Sequence, residues 1–131
     1  MKNVIVVPKG LWRERDKLKL YLAPSPGLHS LIKKTESGFV IIEVDTLDNI
    51  LRELGIKKVD FVKMDIEGAE IEALKGMQEV LQSSDIKLAI EADHEINGEK
   101  TVQTVISLLR QTQFEVHEEN SVVYASKQLQ T

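Results

Sequence analysis

The segment at residues 59–70 constrains the fold more than any other part of this 131-residue chain. An apolar run ends in two carboxylates one residue apart, Asp65 and Glu67, and a glycine and a helical pattern follow them. This order is typical of a buried parallel strand that leads into its crossover helix. Ligands of open α/β sheets bind at the carboxyl ends of the strands, so the sequence predicts a site beside these two acids.

Strand and helix patterns alternate along the rest of the chain. Apolar runs or period-two alternation predict strands at residues 4–7, 17–22, 39–44, 59–64 and 86–90. Helical spacing of apolar residues predicts a helix between Thr46 and Gly55, a helix from about Ala69 that carries Leu74 and Leu81, and a helix around Val105. Two further strand patterns, residues 114–117 and 122–125, are separated by a short polar connection and should pair antiparallel.

This order of elements predicts an α/β fold with a mainly parallel sheet, helices packed on it, and an antiparallel strand at its end. The length fits a single domain over residues 1–131, and no repeat, low-complexity tract or linker divides it. The apolar fraction of 42% is that of an ordinary globular protein, so we expect one well-packed core.

The composition excludes several classes of function. The chain has no cysteine, which excludes disulfides, zinc–thiolate sites and thiol nucleophiles. The net charge is -4 and no basic run alternates with aromatic residues, so we expect no nucleic-acid partner. No apolar run is long enough to span a bilayer, and residues 1–7 do not resemble a signal peptide. We therefore expect a cytoplasmic protein without a membrane partner.

Acidic side chains and one histidine follow the ends of two successive strand patterns. Asp65 and Glu67 follow one strand, and Glu91 and His94 follow the next. If these strands are neighbours, the four groups share one rim of the sheet, where they could hold a magnesium or manganese ion or supply a general base for a substrate hydroxyl. A purely structural alternative exists for Glu67 and Glu70, because acids at the start of a helix stabilise its dipole. Asp65 is the strongest candidate because it ends an apolar strand.

No glycine-rich loop for a nucleoside cofactor is present. The seven glycines are far apart, and neither Gly-x-Gly-x-x-Gly nor a P-loop occurs. A chain of this architecture that binds such a cofactor usually carries the loop after its first strand. The cofactor-binding residues are therefore not assigned from the sequence.

Several segments resemble the FkbM-type S-adenosylmethionine-dependent methyltransferases. Residues 63–70 read Lys-Met-Asp-Ile-Glu-Gly-Ala-Glu and are similar to the family block Lys-x-Asp-x-Glu-Gly-Ala-Glu. Residues 44–48 resemble the family's Val-x-Thr-Leu-Asp segment, and residues 74–76 resemble its Leu-x-Gly. Residues 90–94 are similar to the end of its next strand. The resemblance extends over residues 3–126.

The resemblance implies a Rossmann-like methyltransferase-type sheet, mainly parallel with an antiparallel C-terminal strand and truncated at the N-terminal side. Family members transfer a methyl group from S-adenosylmethionine, generally to a hydroxyl oxygen, so a small molecule or sugar is the expected acceptor. The block makes Asp65 and Glu67 the catalytic candidates, with Asp65, Glu91 and His94 as candidates for substrate or metal contact. The segments that resemble the family belong to its C-terminal portion. The strand with the cofactor loop and the strand with the ribose-binding acid have no counterpart here.

Three arrangements are compatible with this partial resemblance. The chain is a fragment of a larger enzyme, it completes its sheet by pairing with a second copy, or it is a remnant that no longer catalyses. Two other functions remain open. A non-catalytic homodimeric α/β module is one, because exposed sheet edges favour self-association. A metal-dependent hydrolase that uses the same carboxylate rim is the other.

Overall fold

The structure, a computed structural model, describes residues 3–21, 38–66, 68–83, 85–93, 95–96 and 99–127. Within these residues there are nine strands and three α-helices. In chain order they are β1 (Gly10–Leu11), β2 (Asp16–Tyr21), β3 (Phe39–Asp45), α1 (Leu47–Leu54), β4 (Phe61–Met64), α2 (Glu70–Lys75), β5 (Lys87–Glu91), β6 (Glu95–Ile96), β7 (Glu99–Lys100), α3 (Val102–Gln111), β8 (Glu115–Glu119) and β9 (Val122–Ser126). None of these helices is long and apolar enough to cross a membrane.

The strands form two larger sheets and one small hairpin. The first sheet has the order β1-β3-β2, with β1 parallel and β2 antiparallel to β3. The second has the order β4-β5-β9-β8, in which β4 and β5 are parallel and the other pairs are antiparallel. Strands β6 and β7 pair antiparallel. The α/β class is confirmed, but the mainly parallel sheet is not, because both larger sheets are mixed.

The C-terminal hairpin and helix α1 agree with the sequence patterns. The β8–β9 connection places Asn120 and Ser121 at positive φ, the conformation of a two-residue hairpin turn, and the predicted antiparallel pair is confirmed. Thr46 caps α1 by accepting the Asn49 N–H on its Oγ1 at 3.0 Å. Gly55 ends the helix with φ +71°, as a C-terminal glycine should.

The strand expected at residues 4–7 is absent. None of the described strands pairs with this run, and the side chains of Val4, Ile5 and Val6 are each more than half exposed. An apolar run becomes a strand only when a neighbour accepts and donates its main-chain hydrogen bonds. The strand prediction for these residues was therefore wrong, and the parallel neighbour of β3 is β1 instead.

Helix α2 is shorter than its apolar pattern predicts. It ends at Lys75, and Leu81 belongs to a separate 3₁₀ turn at Val80–Gln82. Gly76, directly after the helix, lies against the main chain of Trp12. The chain changes direction at this contact, and Leu81 still reaches the core.

The main core lies between one face of the second sheet and helices α2 and α3. Leu88, Ile90 and Val123 on this face are buried and belong to the same cluster as Leu74 of α2 and Leu109 of α3. Side chains of a strand alternate between the two faces, so the opposite face receives the residues in between. Two aromatic residues on that opposite face are exposed, Phe61 and Tyr124.

A smaller cluster joins the first sheet to the segment after β4. Trp12, which directly follows β1, and Val44 of β3 are buried together with Ala69, which immediately precedes α2. Ile66 packs against the same cluster. The first sheet therefore supports the segment that carries the predicted acidic site.

Candidate functional site

Asp65 and Glu91 lie at the ends of neighbouring parallel strands. Met64 of β4 is opposite Ile90 of β5 in the ladder, and each acid follows one of these two residues. The expected neighbourhood of the two strands is thus confirmed. Both acids are exposed at this rim of the second sheet, where a ligand could reach them.

The other two candidates, Glu67 and His94, lie outside the described residues. Their assignment to the rim stays a prediction from the sequence. Among the described residues, no group of three or more His, Cys, Asp or Glu side chains could hold a metal ion. Asp93, behind Glu91, instead has its Oδ1 3.4 Å from Lys100 Nζ. A magnesium or manganese site is not supported by this part of the chain.

A tight turn connects β4 to α2. The Ala69 N–H donates to the Ile66 carbonyl at 3.2 Å. Gly68 lies within this turn at φ +97° and is buried. Glycine reaches this conformation without the steric cost that a Cβ imposes, so the glycine of the acidic block is required by the backbone.

Glu70, the first residue of α2, is fully buried and contacts this turn. Its side chain is 0% exposed, and its Oε1 accepts the Gly68 N–H at 3.3 Å. The sequence suggested only a dipole-stabilising acid at this position. Burial could not be read from the pattern, because Glu70 is one of several acids in a polar segment.

Asp48 is a structural acid that the sequence analysis did not single out. Its Oδ2 accepts the Glu79 N–H at 2.9 Å, and its Oδ1 accepts the Val80 N–H at 3.0 Å. Its own N–H donates to the Gly76 carbonyl at 3.2 Å. Asp48 thus joins the start of α1 to the turn after α2. The available signal was that Asp48 and Gly76 both lie in segments that resemble the family.

Asp45, the last residue of β3, is a second buried carboxylate that was missed. It accepts hydrogen bonds from Arg15 Nε at 3.0 Å, Asn49 Nδ2 at 2.9 Å and the Thr46 N–H at 2.8 Å. Lys9 Nζ lies 3.6 Å from its Oδ2. Burial raises the pKa of Asp45, but the hydrogen bonds from Asn49, Thr46 and Arg15 outweigh it and hold the pKa below its ordinary value.

Arg15 also pairs with Glu53 of α1, and Lys9 Nζ is 3.8 Å from the same carboxylate. Two cations therefore face two acids, Asp45 and Glu53, and the charges of these four groups balance. The hydrogen bonds and contacts of Asp45 fix the first sheet to α1. We assign this network to structure and not to chemistry.

The rim residues that the structure describes do not by themselves form a site that fits S-adenosylmethionine. A ligand of that size needs a concave site that covers most of its surface. Three cavities, of about 670, 510 and 340 Å³, have neither Asp65 nor Glu91 in their walls. The described rim residues offer carboxylates that can accept hydrogen bonds from hydroxyl groups. Gly68 is the glycine whose backbone could approach a nucleoside, but it is buried and a ligand cannot reach it.

Comparisons with known proteins agree with this architecture. A crystal structure of methyltransferase FkbM from Methylobacillus flagellatus shares the fold, with a TM-score of 0.59 and 21% sequence identity. The similarity covers 95% of this chain but 28% of that chain, so this chain spans less than a third of that protein's length. No curated protein matches the sequence. Residues 6–116 match the family model of the methyltransferase FkbM domain, and the chain therefore belongs to the FkbM methyltransferase family.

Proposed function

We propose that this chain is the acceptor side of an S-adenosylmethionine-dependent O-methyltransferase that acts on a hydroxyl group of a small molecule or sugar. The observation that carries the proposal is the pair Asp65 and Glu91, which end neighbouring parallel strands in a chain of the FkbM family. Exposed carboxylates at a strand-end rim are suited to accept hydrogen bonds from substrate hydroxyls.

Asp65 is the proposed base. Methyl transfer to a hydroxyl oxygen makes that oxygen shed its proton, and a carboxylate within hydrogen-bond reach can accept it. S-adenosylmethionine would supply the methyl group. We assign Glu67 a supporting catalytic role, and Glu91 and His94 contacts that hold the substrate in line for transfer.

We propose that a different stretch of polypeptide supplies the cofactor half of the site. That stretch would correspond to the portion of the family domain that this chain does not resemble. The Methylobacillus flagellatus protein has more than two thirds of its length outside the similarity, which leaves ample chain for that half. A cytoplasmic location and the absence of a nucleic-acid partner stay predictions from the sequence.

A titration of the labelled chain with a methyl glycoside, which presents the hydroxyl groups of a sugar acceptor, tests the proposal by amide NMR. We expect saturable shifts at Asp65 and Glu91, which Asp65→Asn weakens at least about tenfold because a charged acceptor is replaced by a neutral amide. Asp60→Asn is the matched control, since Asp60 is an exposed acid that precedes β4 at its other end. Equal shifts in the wild type and Asp65→Asn would contradict the role of Asp65.

The corresponding substitution in a complete FkbM enzyme tests whether this aspartate takes part in methyl transfer itself. Replacement of the aspartate that aligns with Asp65 by asparagine should abolish methyl transfer and leave the fold intact. Retained turnover would reject Asp65 as the base. Turnover that is lost in the complete enzyme, together with no shift in this chain alone, would mean that this chain does not bind the acceptor by itself, and the acceptor-side role of the isolated chain would be rejected.

A second candidate is a non-catalytic homodimer, and the two edges of the second sheet favour it. Edge strand β8 has exposed, charged side chains at Glu115, Glu118 and Glu119, which discourage pairing with another strand. Edge strand β4 reads Phe-Val-Lys-Met, with one charge and an exposed Phe61. We propose that a second copy of the chain pairs along β4 if no other polypeptide covers this edge.

A further inference from the structure

We infer that Glu70 is a positioning residue whose buried carboxylate fixes the turn after β4 and, through it, the place of Asp65 at the rim. Within the acidic block, Asp65 would then contact the ligand while Glu70 holds the backbone. The ligand part of this inference rests on the proposed function. The effect of Glu70 on the turn can be measured without any ligand.

One hydrogen bond of Glu70 points backwards along the chain to the turn. Its Oε1 accepts the N–H of Gly68, two residues earlier, at 3.3 Å. Gly68 has φ +97°, and the next residue, Ala69, closes the turn on the Ile66 carbonyl. Ala69 is also packed in one cluster with Trp12, which directly follows β1, and with Val44 of β3. Glu70 therefore stabilises the turn by a hydrogen bond to its backbone, and Trp12 and Val44 stabilise it by packing against Ala69.

Stabilisation of the helix dipole does not account for this arrangement. The first turn of α2 already contains a second acid, Glu72, whose Oε2 accepts from Arg13 Nη1 at 2.8 Å. A dipole-stabilising charge acts well from the surface, whereas burial of a carboxylate costs free energy unless hydrogen bonds offset it. The hydrogen bond from the Gly68 N–H therefore gives the buried carboxylate of Glu70 a role that a charge at the surface would not have.

Asp65 depends on such support because it is exposed. It lies between β4 before it and the turn after it, and both contribute to its location at the rim. A functional acid must be held within a fraction of an ångström by its surroundings to act efficiently. Glu70 supplies one of the two supports.

Two conservative variants separate positioning from charge. Glu70→Gln keeps an oxygen at the same reach but removes the charge, whereas Glu70→Asp keeps the charge but shortens the side chain by one methylene. Positioning predicts that Glu70→Gln preserves the slow hydrogen exchange of the Gly68 amide and the amide shift of Asp65. It predicts that Glu70→Asp accelerates the Gly68 exchange about tenfold and moves the Asp65 resonance.

The opposite order, with exchange preserved in Glu70→Asp and accelerated in Glu70→Gln, would overturn the inference in favour of a dipole role. Unchanged exchange in both variants would overturn it as well. Glu72→Gln is the matched control on the same helix and should leave the Gly68 exchange unchanged. Acceleration by Glu72→Gln equal to that of Glu70→Asp would mean a general loosening of α2 and would also overturn it.

Titration with the same methyl glycoside then separates this inference from the proposed function. If ligand-induced shifts at Asp65 survive in Glu70→Gln and are lost in Glu70→Asp, the positioning role of Glu70 and the proposed function are both supported. If the wild type shows no shift, the proposed function fails for this chain, while the exchange comparison still decides the role of Glu70.

Discussion

Gly76 lies so close to the main chain of Trp12 that a Cβ at Gly76 would stand 2.2 Å from the Trp12 carbonyl oxygen. The same Cβ would be 3.0 Å from the Cβ of Thr46. Gly76 has φ -91°, which any residue can adopt. The close approach of two chain segments, and not the backbone conformation, therefore requires glycine here, and this contact seats the first sheet on the end of α2.

Substitution Gly76→Ala should destabilise the protein by about 3 kcal/mol, because a methyl group would push against a main-chain oxygen that cannot turn aside. Urea unfolding measures the free energy. Gly55→Ala is the contrasting variant: Gly55 has φ +71° and open space around it, so it should cost about 1 kcal/mol from backbone strain alone. A cost for Gly76→Ala no greater than for Gly55→Ala would show that the segments separate easily.

Asp48→Asn should lower the free energy of unfolding by about 1.5 kcal/mol, because the amide keeps one acceptor oxygen for two main-chain donors, Glu79 and Val80. Asp60→Asn serves as control, since the Asp60 side chain is 82% exposed, and its effect should stay below about 0.5 kcal/mol. Chemical denaturation of the two variants gives the comparison. Equal effects would indicate that Asp48 does not hold the 3₁₀ turn.

The stability that Asp45 contributes should disappear in acid. Its folded pKa lies below the ordinary value of 3.8, so the unfolded chain takes up the proton first as the pH falls. The contribution is complete above the ordinary value and is lost as the pH falls through the folded pKa. The difference in unfolding free energy between the wild type and Asp45→Asn should therefore be constant near neutral pH and shrink below about pH 4. A difference that does not change in acid would mean that the charge of Asp45 is not stabilising.

Pairing along β4, which is an edge strand of the second sheet within the described residues, should make the chain dimeric in solution. Phe61→Lys adds a charge to this edge and should shift the chain to monomer, as followed by sedimentation. Phe39→Lys is the control, because Phe39 is also an exposed aromatic residue but lies in the first sheet and not on β4. A monomeric wild type, or a dimer that survives Phe61→Lys, would reject the β4 edge as the interface.

The local sequence was sufficient to predict the ends of those helices and strands that depend on nearby residues. Thr46 lies at the start of α1 and Gly55 at its end, as expected, because a cap forms with residues three or four positions away. The apolar runs of β4 and β5, each followed or ended by an acid, were predicted as strands, and the structure adds that the two are parallel neighbours. The resemblance to the FkbM family rested on the same short segments.

The sequence by itself determined the alternation of elements, the strand-end rim and the family. Only the tertiary structure decided which acids are buried and which chain segments meet. Residues 4–7 have the composition of a strand but no described partner, and Glu70 and Asp45 look like surface acids until other elements cover them. The contact between Gly76 and Trp12 joins residues that are 64 positions apart in the sequence. Such contacts arise from the packing of whole sheets and helices, which no local pattern encodes.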